Sequence, residues 1–386
     1  MKTNNLCSWY PLKDLKLKAK HLQKTQAEAK HPDLLLLFAA VVLVAFGLLM
    51  IYNASPVTSL RDFGDPTRLA GRQIVWAFGG ALAAGFFYKF PYKLLEKLSP
   101  VIMIGALGLL LAVFVPHLAI NTYGASRWIG IGTFFSIQPS EFAKLAYIIY
   151  LSAFLSKKVK FWPFAVLTGL LVGVLLLQKD LGTAIIISLT GVLLYFLSGA
   201  PIVHFFLLLP VGLLSGIVFI FSESYRRERF FTFLNPGSDT SGAAYHINQI
   251  LISLGSGGWF GVGLGQSRQK YGYIPEVTTD SIFAVIANEL GFVGSFVFIG
   301  LLFLIVFRSF KIAGHLPDKF GQFLASGIGI WIGFQVFINL AGMVALLPLT
   351  GVPLPLISYG GSSLVAVLSA IAIVLQLSKN TVSARK

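Results

Sequence analysis

Asp280 closes the run Pro275-Glu276-Val277-Thr278-Thr279-Asp280, immediately before the apolar stretch Ser281-Ile282-Phe283-Ala284-Val285-Ile286. A carboxylate fixed at the mouth of an apolar segment can act as a general base. Aspartate is also among the best helix N-caps, so a purely structural role is open. A second charged group lies in Gln138-Pro139-Ser140-Glu141-Phe142-Ala143-Lys144. Glu141 and Lys144 stand three residues apart, on one helix face. Pro139 and Glu141 suit a first helical turn, which is the plain reading of both. Lys144 lies about one turn deeper and either snorkels to the surface or needs an anionic partner, for which Asp280 is the candidate.

Other polar signals are weaker. Gln178 and Asp180 occupy the short turn Gln178-Lys179-Asp180-Leu181-Gly182-Thr183, where Asp180 can again be a cap. Arg127 and Trp128 form an interfacial anchor or, if they share a side with Asp280, a phosphate clamp. Arg226, Arg227, Arg229, Phe230 and Phe231 suggest an amphipathic segment on a membrane surface, against a plain solvated loop. The segment from Leu347 to Ser363 is rich in proline and glycine, and such backbone is tolerated near membrane depth only beside protein or a polar cavity; it is expected to cover the cavity holding Asp280. The glycines of Gly261-Val262-Gly263-Leu264-Gly265 follow no strand and precede no Gly-Lys-Ser, so a nucleotide loop is rejected.

The elements that carry these residues are membrane helices. Of 386 residues, 56% are hydrophobic and 12% charged, with a mean hydropathy of +0.79, against about a quarter charged in soluble domains. The net charge of +15 is read by location, since basic residues collect in cytoplasmic loops; nucleic acid is not an expected partner. The single cysteine, Cys7, excludes an intrachain disulfide and a thiol metal cluster. At about twenty apolar residues per crossing, spans are predicted at 34–54, 73–90, 99–120, 139–156, 162–177, 181–199, 201–223, 281–307, 321–347 and 361–377. The first is too long for a signal-peptide core and reads as a retained anchor. The predicted fold is therefore an all-α polytopic membrane protein with about ten transmembrane helices and a large extracytoplasmic loop between helices seven and eight. Alternating sides put most lysines with the two termini, which are expected to be cytoplasmic, and the polar stretch from Tyr225 to Asp280 faces outward. The vulnerable point is 162–199, where two short apolar blocks are split only by Gln178-Lys179-Asp180. The division is a basic tail, 1–33, one domain, 34–378, with its outer loop at 224–281, and a short tail, 379–386.

The segments RWIGIG, QPSEFAKL, QKDLGTA, FLNP, GVGLGQS, PEVTTDSIFAVIANELGFVG and PLPLISYGGSSL, in that order, closely resemble the SEDS family of shape, elongation, division and sporulation proteins, represented by FtsW and RodA. The resemblance runs from about 34 to 377. It implies a peptidoglycan glycosyltransferase of the bacterial cytoplasmic membrane that polymerises lipid II and works with a class B penicillin-binding protein and other divisome or elongasome proteins. By position, the family's essential aspartate falls on Asp280, its glutamate and lysine on Glu141 and Lys144, its RW pair on Arg127 and Trp128, and its SYGGSS turn on Ser358 to Ser363. Two departures stand out: Lys179 replaces the proline of QPDLGTA, and Asn288 replaces the first acid of EELG. Met50 to Ser55 and the GQSRQKY run look more like FtsW, while TGVPLPLISYGG suits RodA about as well.

Adding a disaccharide requires proton removal from the acceptor's 4-hydroxyl while a lipid pyrophosphate leaves, so a base and a cationic site are both needed. Asp280 is the expected base, with Lys144 orienting it and keeping it ionised. Arg127 and Arg229, or a divalent Mg or Mn ion on Glu141 and Asp280, would neutralise the leaving group. Trp128, Gln178, Asp180, Gln249, Ser358, Tyr359 and Ser362 complete the expected substrate-binding set. Two other classes compete: a lipid II transporter with Glu141 and Lys144 as cavity charges, and a non-catalytic scaffold for a transpeptidase.

Overall fold

The computed structural model describes residues 31–116, 118–122, 125–131, 135–222, 224–234, 242–270 and 274–381. Most of the basic N-terminal tail, residues 382–386 and the Asn235-Pro236 part of FLNP lie outside the described residues. The helices are α1 (Leu34–Ala54), α2 (Pro56–Phe63), α3 (Arg68–Lys89), α4 (Tyr92–Ala112), α5 (Pro139–Lys157), α6 (Phe161–Leu177) and α7 (Leu181–Leu197). They continue as α8 (Val203–Phe221), α9 (Ser224–Leu234), α10 (Gly242–Ser256), α11 (Ile282–Gly314), α12 (Lys319–Met343) and α13 (Gly361–Ser378).

Among the described residues, ten helices have 17 residues or more, in the order predicted. Six of them are long and apolar enough to cross a membrane by length and composition. Their ends sort into two groups. At one end the Asp33 N–H donates to Ser378 Oγ at 3.0 Å, Arg308 Nε donates to Asp33 Oδ2 at 2.7 Å, and the Tyr92 hydroxyl donates to Asp318 at 2.8 Å. At the other the Gln138 N–H donates to Ser362 Oγ at 2.9 Å and the Tyr359 N–H to the Thr278 carbonyl at 2.8 Å. The beginning of α1 and the end of α13 thus meet at one end of the bundle.

Three differences from the sequence reading have local causes. The third span begins at Tyr92, not near 99, so Pro100 lies inside α4. Proline leaves the carbonyl four residues earlier without its donor; here that carbonyl is Glu96's, and the Ser99 hydroxyl takes it at 2.8 Å. The connector after α4 forms an antiparallel sheet in the order β1 (Ala119–Thr122), β2 (Ala125–Ile131), β3 (Phe135–Ile137). The 224–281 loop contains α9, which covers the segment read as amphipathic, and also α10, which the sequence reading did not place.

Helix α11 is interrupted at Gly291, whose φ is 68° and ψ −167°. The loop at 258–263 serves the break: Val262 and Gly263 donate to the Asn288 and Glu289 carbonyls at 3.0 and 3.1 Å, and Phe292 and Val293 donate to Gly258 and Trp259 at 2.9 and 3.1 Å. Such a break is tolerated in a bundle because its backbone groups are paired this way. At Gly261, φ +79°, an added Cβ would lie 2.1 Å from the Glu289 carbonyl oxygen. Gly261→Ala is therefore expected to destabilise the fold by about 1–3 kcal/mol from backbone strain, before the clash is counted. A lower melting temperature and faster proteolysis after α10 would register this; unchanged protection would contradict the docking described.

The enclosed helices lie beside the 344–360 connector, with α12 72% and α13 83% buried. Gly361 lets α13 approach α3, since a Cβ there would meet the Trp76 ring at 2.2 Å. Small residues permit this kind of close crossing.

Candidate active site

Asp280 sits just before α11 and is 7% exposed. It is not the helix cap: Ser281 holds that position. Its carboxylate accepts from Ser281 Oγ at 3.3 Å and, at the limit, from Thr279 Oγ1 at 3.5 Å. These are weak donors for a buried charge. Burial pushes the carboxyl up to about 6, Glu276 adds to the rise, and the Arg229 guanidinium opposes it. Arg229 reaches the site from α9 and donates to the Leu349 carbonyl at 2.9 Å. His246 of α10, absent from the sequence reading, shares a 2.8 Å hydrogen bond with Ser281 Oγ. Burial and Arg229 push its imidazole down to about 4, so it is neutral at pH 7.

Lys144 does not reach Asp280, contrary to expectation. Its ammonium donates to Glu141 Oε1 at 2.7 Å and to Gln335 Oε1 at 2.9 Å, and lies 5.2 Å from the Trp331 ring centroid. Lys144 and Glu141 are 2% and 1% exposed, so the lysine does not snorkel. The physical reason is proximity: an acid one turn away on the same helix face satisfies the ammonium before a loop residue can. Arg229 is the cation acting on Asp280.

The expected substrate residues divide into groups. Arg127 on β2 donates to the carbonyl of Gln178 at 3.4 Å and to that of Lys179, so it holds the α6–α7 turn. Gln178 turns inward and its Nε2 donates to the Leu110 carbonyl at 2.6 Å, closing the last turn of α4. Asp180 caps α7 through the Thr183 N–H at 3.2 Å and accepts from Ser140 Oγ at 3.1 Å, tying α7 to the start of α5. Lys179 adopts φ 60°, which proline's ring forbids; the departure from QPDLGTA therefore changes the turn itself. Ser358 Oγ accepts from the Leu354 N–H at 2.8 Å, Ser362 Oγ accepts from Gln138, and the Tyr359 N–H fastens to Thr278, beside Asp280. Trp128 and Gln249 are half-buried on β2 and α10.

A divalent ion shared by Glu141 and Asp280 does not fit these side chains. One oxygen of Glu141 is held by the Lys144 ammonium, and among the described residues no three His, Cys, Asp or Glu come together as a metal site. The other oxygen, Oε2, is buried without a hydrogen-bond partner.

Relatives match nearly the whole chain in sequence. Stage V sporulation protein E of Bacillus subtilis (strain 168) is 39% identical, covering 90% of this chain and 97% of that protein. A protein named "Probable peptidoglycan glycosyltransferase FtsW" from Geobacter sp. (strain M18) is 38% identical, covering 90% and 96%. Among solved structures, a chain described under "Structural coordination of polymerization and crosslinking by a peptidoglycan synthase complex" superposes with a TM-score of 0.75 at 30% identity, covering 90% of this chain and 97% of that one. The rod shape determining protein RodA of Thermus thermophilus gives 0.67 at 30% identity, covering 91% and 98%. The profile of the FtsW, RodA and SpoVE family, described as cell cycle protein, matches residues 33–383, and the chain belongs to that family.

Proposed function

We propose that this protein is a peptidoglycan glycosyltransferase that polymerises lipid II at the outer face of the cytoplasmic membrane during cell division or elongation, with both termini cytoplasmic and a class B penicillin-binding protein as partner. The observation that carries the reading is a buried carboxylate, Asp280, raised towards neutrality and faced by one guanidinium at the loop end of the bundle. A general base works best when its pKa lies near the operating pH. In the reaction the acceptor's 4-hydroxyl proton passes to Asp280, the oxygen bonds to the donor's anomeric carbon, and the lipid pyrophosphate leaves with the bonding pair. Arg229 offsets negative charge at that end of the site, while Arg127, Gln178 and Asp180 set the turn and sheet bordering it.

Lipid II supplied to the purified protein in vesicles, with the partner's transpeptidase blocked, is expected to yield glycan chains. Translocation without polymer would instead identify a transporter, and neither activity a scaffold. Because only the ionised carboxylate accepts a proton, polymerisation should fall as the pH drops through about 6, the value to which burial raises Asp280. Arg229→Met removes the opposing cation and should move that acidic limb to higher pH. An unmoved limb would separate Arg229 from Asp280.

A further inference from the structure

Helix α12 carries two buried amides, Gln335 and Asn339, one turn apart on the face that also bears Trp331. Their orientations follow from their partners. Gln335 Oε1 accepts from both Lys144 Nζ and Trp331 Nε1, at 2.9 and 2.8 Å, which leaves its Nε2 to donate to the Pro353 carbonyl at 2.9 Å. Asn339 Nδ2 donates to two carbonyls, those of Val352 and of Asp280 itself, both at 2.8 Å.

The connector that receives these bonds meets the site at two points. Its Leu349 carbonyl accepts from Arg229, and a Cβ at Gly351 would lie 3.9 Å from Asp280 Oδ2. Within the connector Ala345, Gly351 and Leu356 have φ of 55°, 70° and 67°. For Ala345 and Leu356, which are not glycines, such backbone persists only where its surroundings over-determine it. Between them the two amides pin the connector backbone at Val352 and Pro353.

We propose that Gln335 and Asn339 are positioning residues: they couple the Glu141–Lys144 pair to the 349–353 backbone and hold Asp280 and Arg229 in their reactive arrangement. This inference rests on Asp280 being the base of the proposed reaction. The influence of Lys144 on Asp280 is accordingly indirect, running from ammonium to Gln335, from Gln335 to Pro353, and through the adjacent Val352 carbonyl to Asn339 and Asp280. Neither amide touches the reacting atoms.

The test uses the full-length protein in vesicles with lipid II, measuring kcat and KM for polymerisation with the partner's transpeptidase blocked. Asn339→Leu and Gln335→Met keep side-chain size and remove the donors. Misplacing a base by a fraction of an ångström to about 1 Å lowers kcat by about 10- to 100-fold, while KM is expected to stay within about twofold, since ground-state binding is untouched. Each substitution is then combined with the neutral pair Glu141→Gln/Lys144→Met. Residues acting along one route give non-additive losses, so the combination should be no slower than its worse component. Losses that multiply, a wild-type kcat for both amide variants, or a rise confined to KM would overturn the proposal. Should Asn339→Leu fail to fold, Gln335→Met and its combination decide the matter. Asp280→Asn separates the two levels: polymer at the wild-type rate refutes the base, whereas loss of polymer beside a wild-type Asn339→Leu refutes only the positioning role.

Discussion

Asp280→Asn is expected to slow glycan polymerisation by about 10²- to 10⁴-fold, the range lost with a general base, without loss of lipid II binding. Asparagine has the same shape and can keep a contact with Ser281 Oγ, now 3.3 Å from the carboxylate, so the surrounding loops need not move. The substitution should also leave the protein no less stable, and somewhat more stable at neutral pH. The sign follows from burial: a carboxyl raised to about 6 is disfavoured as an anion in the folded state, so above its ordinary range it subtracts stability that a neutral amide restores. Activity lost while the melting temperature holds or rises is the signature of a site kept strained for function. A variant retaining more than about a tenth of the wild-type rate would remove Asp280 from the reaction, because a tenfold loss is smaller than losing a base entails.

What the sequence makes legible depends on how local the determining physics is. The bounds of α1, 34–54, and the start of α5 at Pro139 were legible, because a long apolar run and an N-terminal proline carry their own signals. The cap at Asp180 was likewise local. The entry of α4 at Tyr92 was not, because proline inside a helix reads as a start unless one knows that Ser99 compensates the orphaned carbonyl. The sheet after α4 is built from three- to seven-residue strands with no long alternating pattern. The sequence marks Asp280 as an acid at the mouth of an apolar helix but gives no sign of its burial, and the pairing with Lys144 expected of it is taken by Glu141, whose spacing of three residues puts it on the same helix face. His246 and Arg229 come to the Asp280 site only through tertiary packing, α9 against α10 and α10 against α11. Gln335 and Asn339 leave a trace, two amides a turn apart in the apolar second half of α12, and polar groups at that depth mark function or internal pairing.

The most damaging change to stability should come from Lys144→Met. Glu141 would keep its buried position, with one oxygen already unpartnered, and would lose the 2.7 Å ammonium contact that compensates its charge. Breaking a buried pair from one side costs about 3–5 kcal/mol, because an uncompensated charge remains. The double variant Glu141→Gln/Lys144→Met removes both charges and is expected to recover most of that loss, as neutral replacement of a buried pair is often tolerated. Thermal unfolding of the purified variants, followed by size-exclusion recovery, measures the difference. A Lys144→Met protein as stable as wild type, or a double variant as unstable as the single one, would show that the pair is not a desolvated ion pair. Recovery of stability without recovery of kcat is the informative outcome: it separates the charge balance, which the neutral pair restores, from the ammonium donor to Gln335, which it does not.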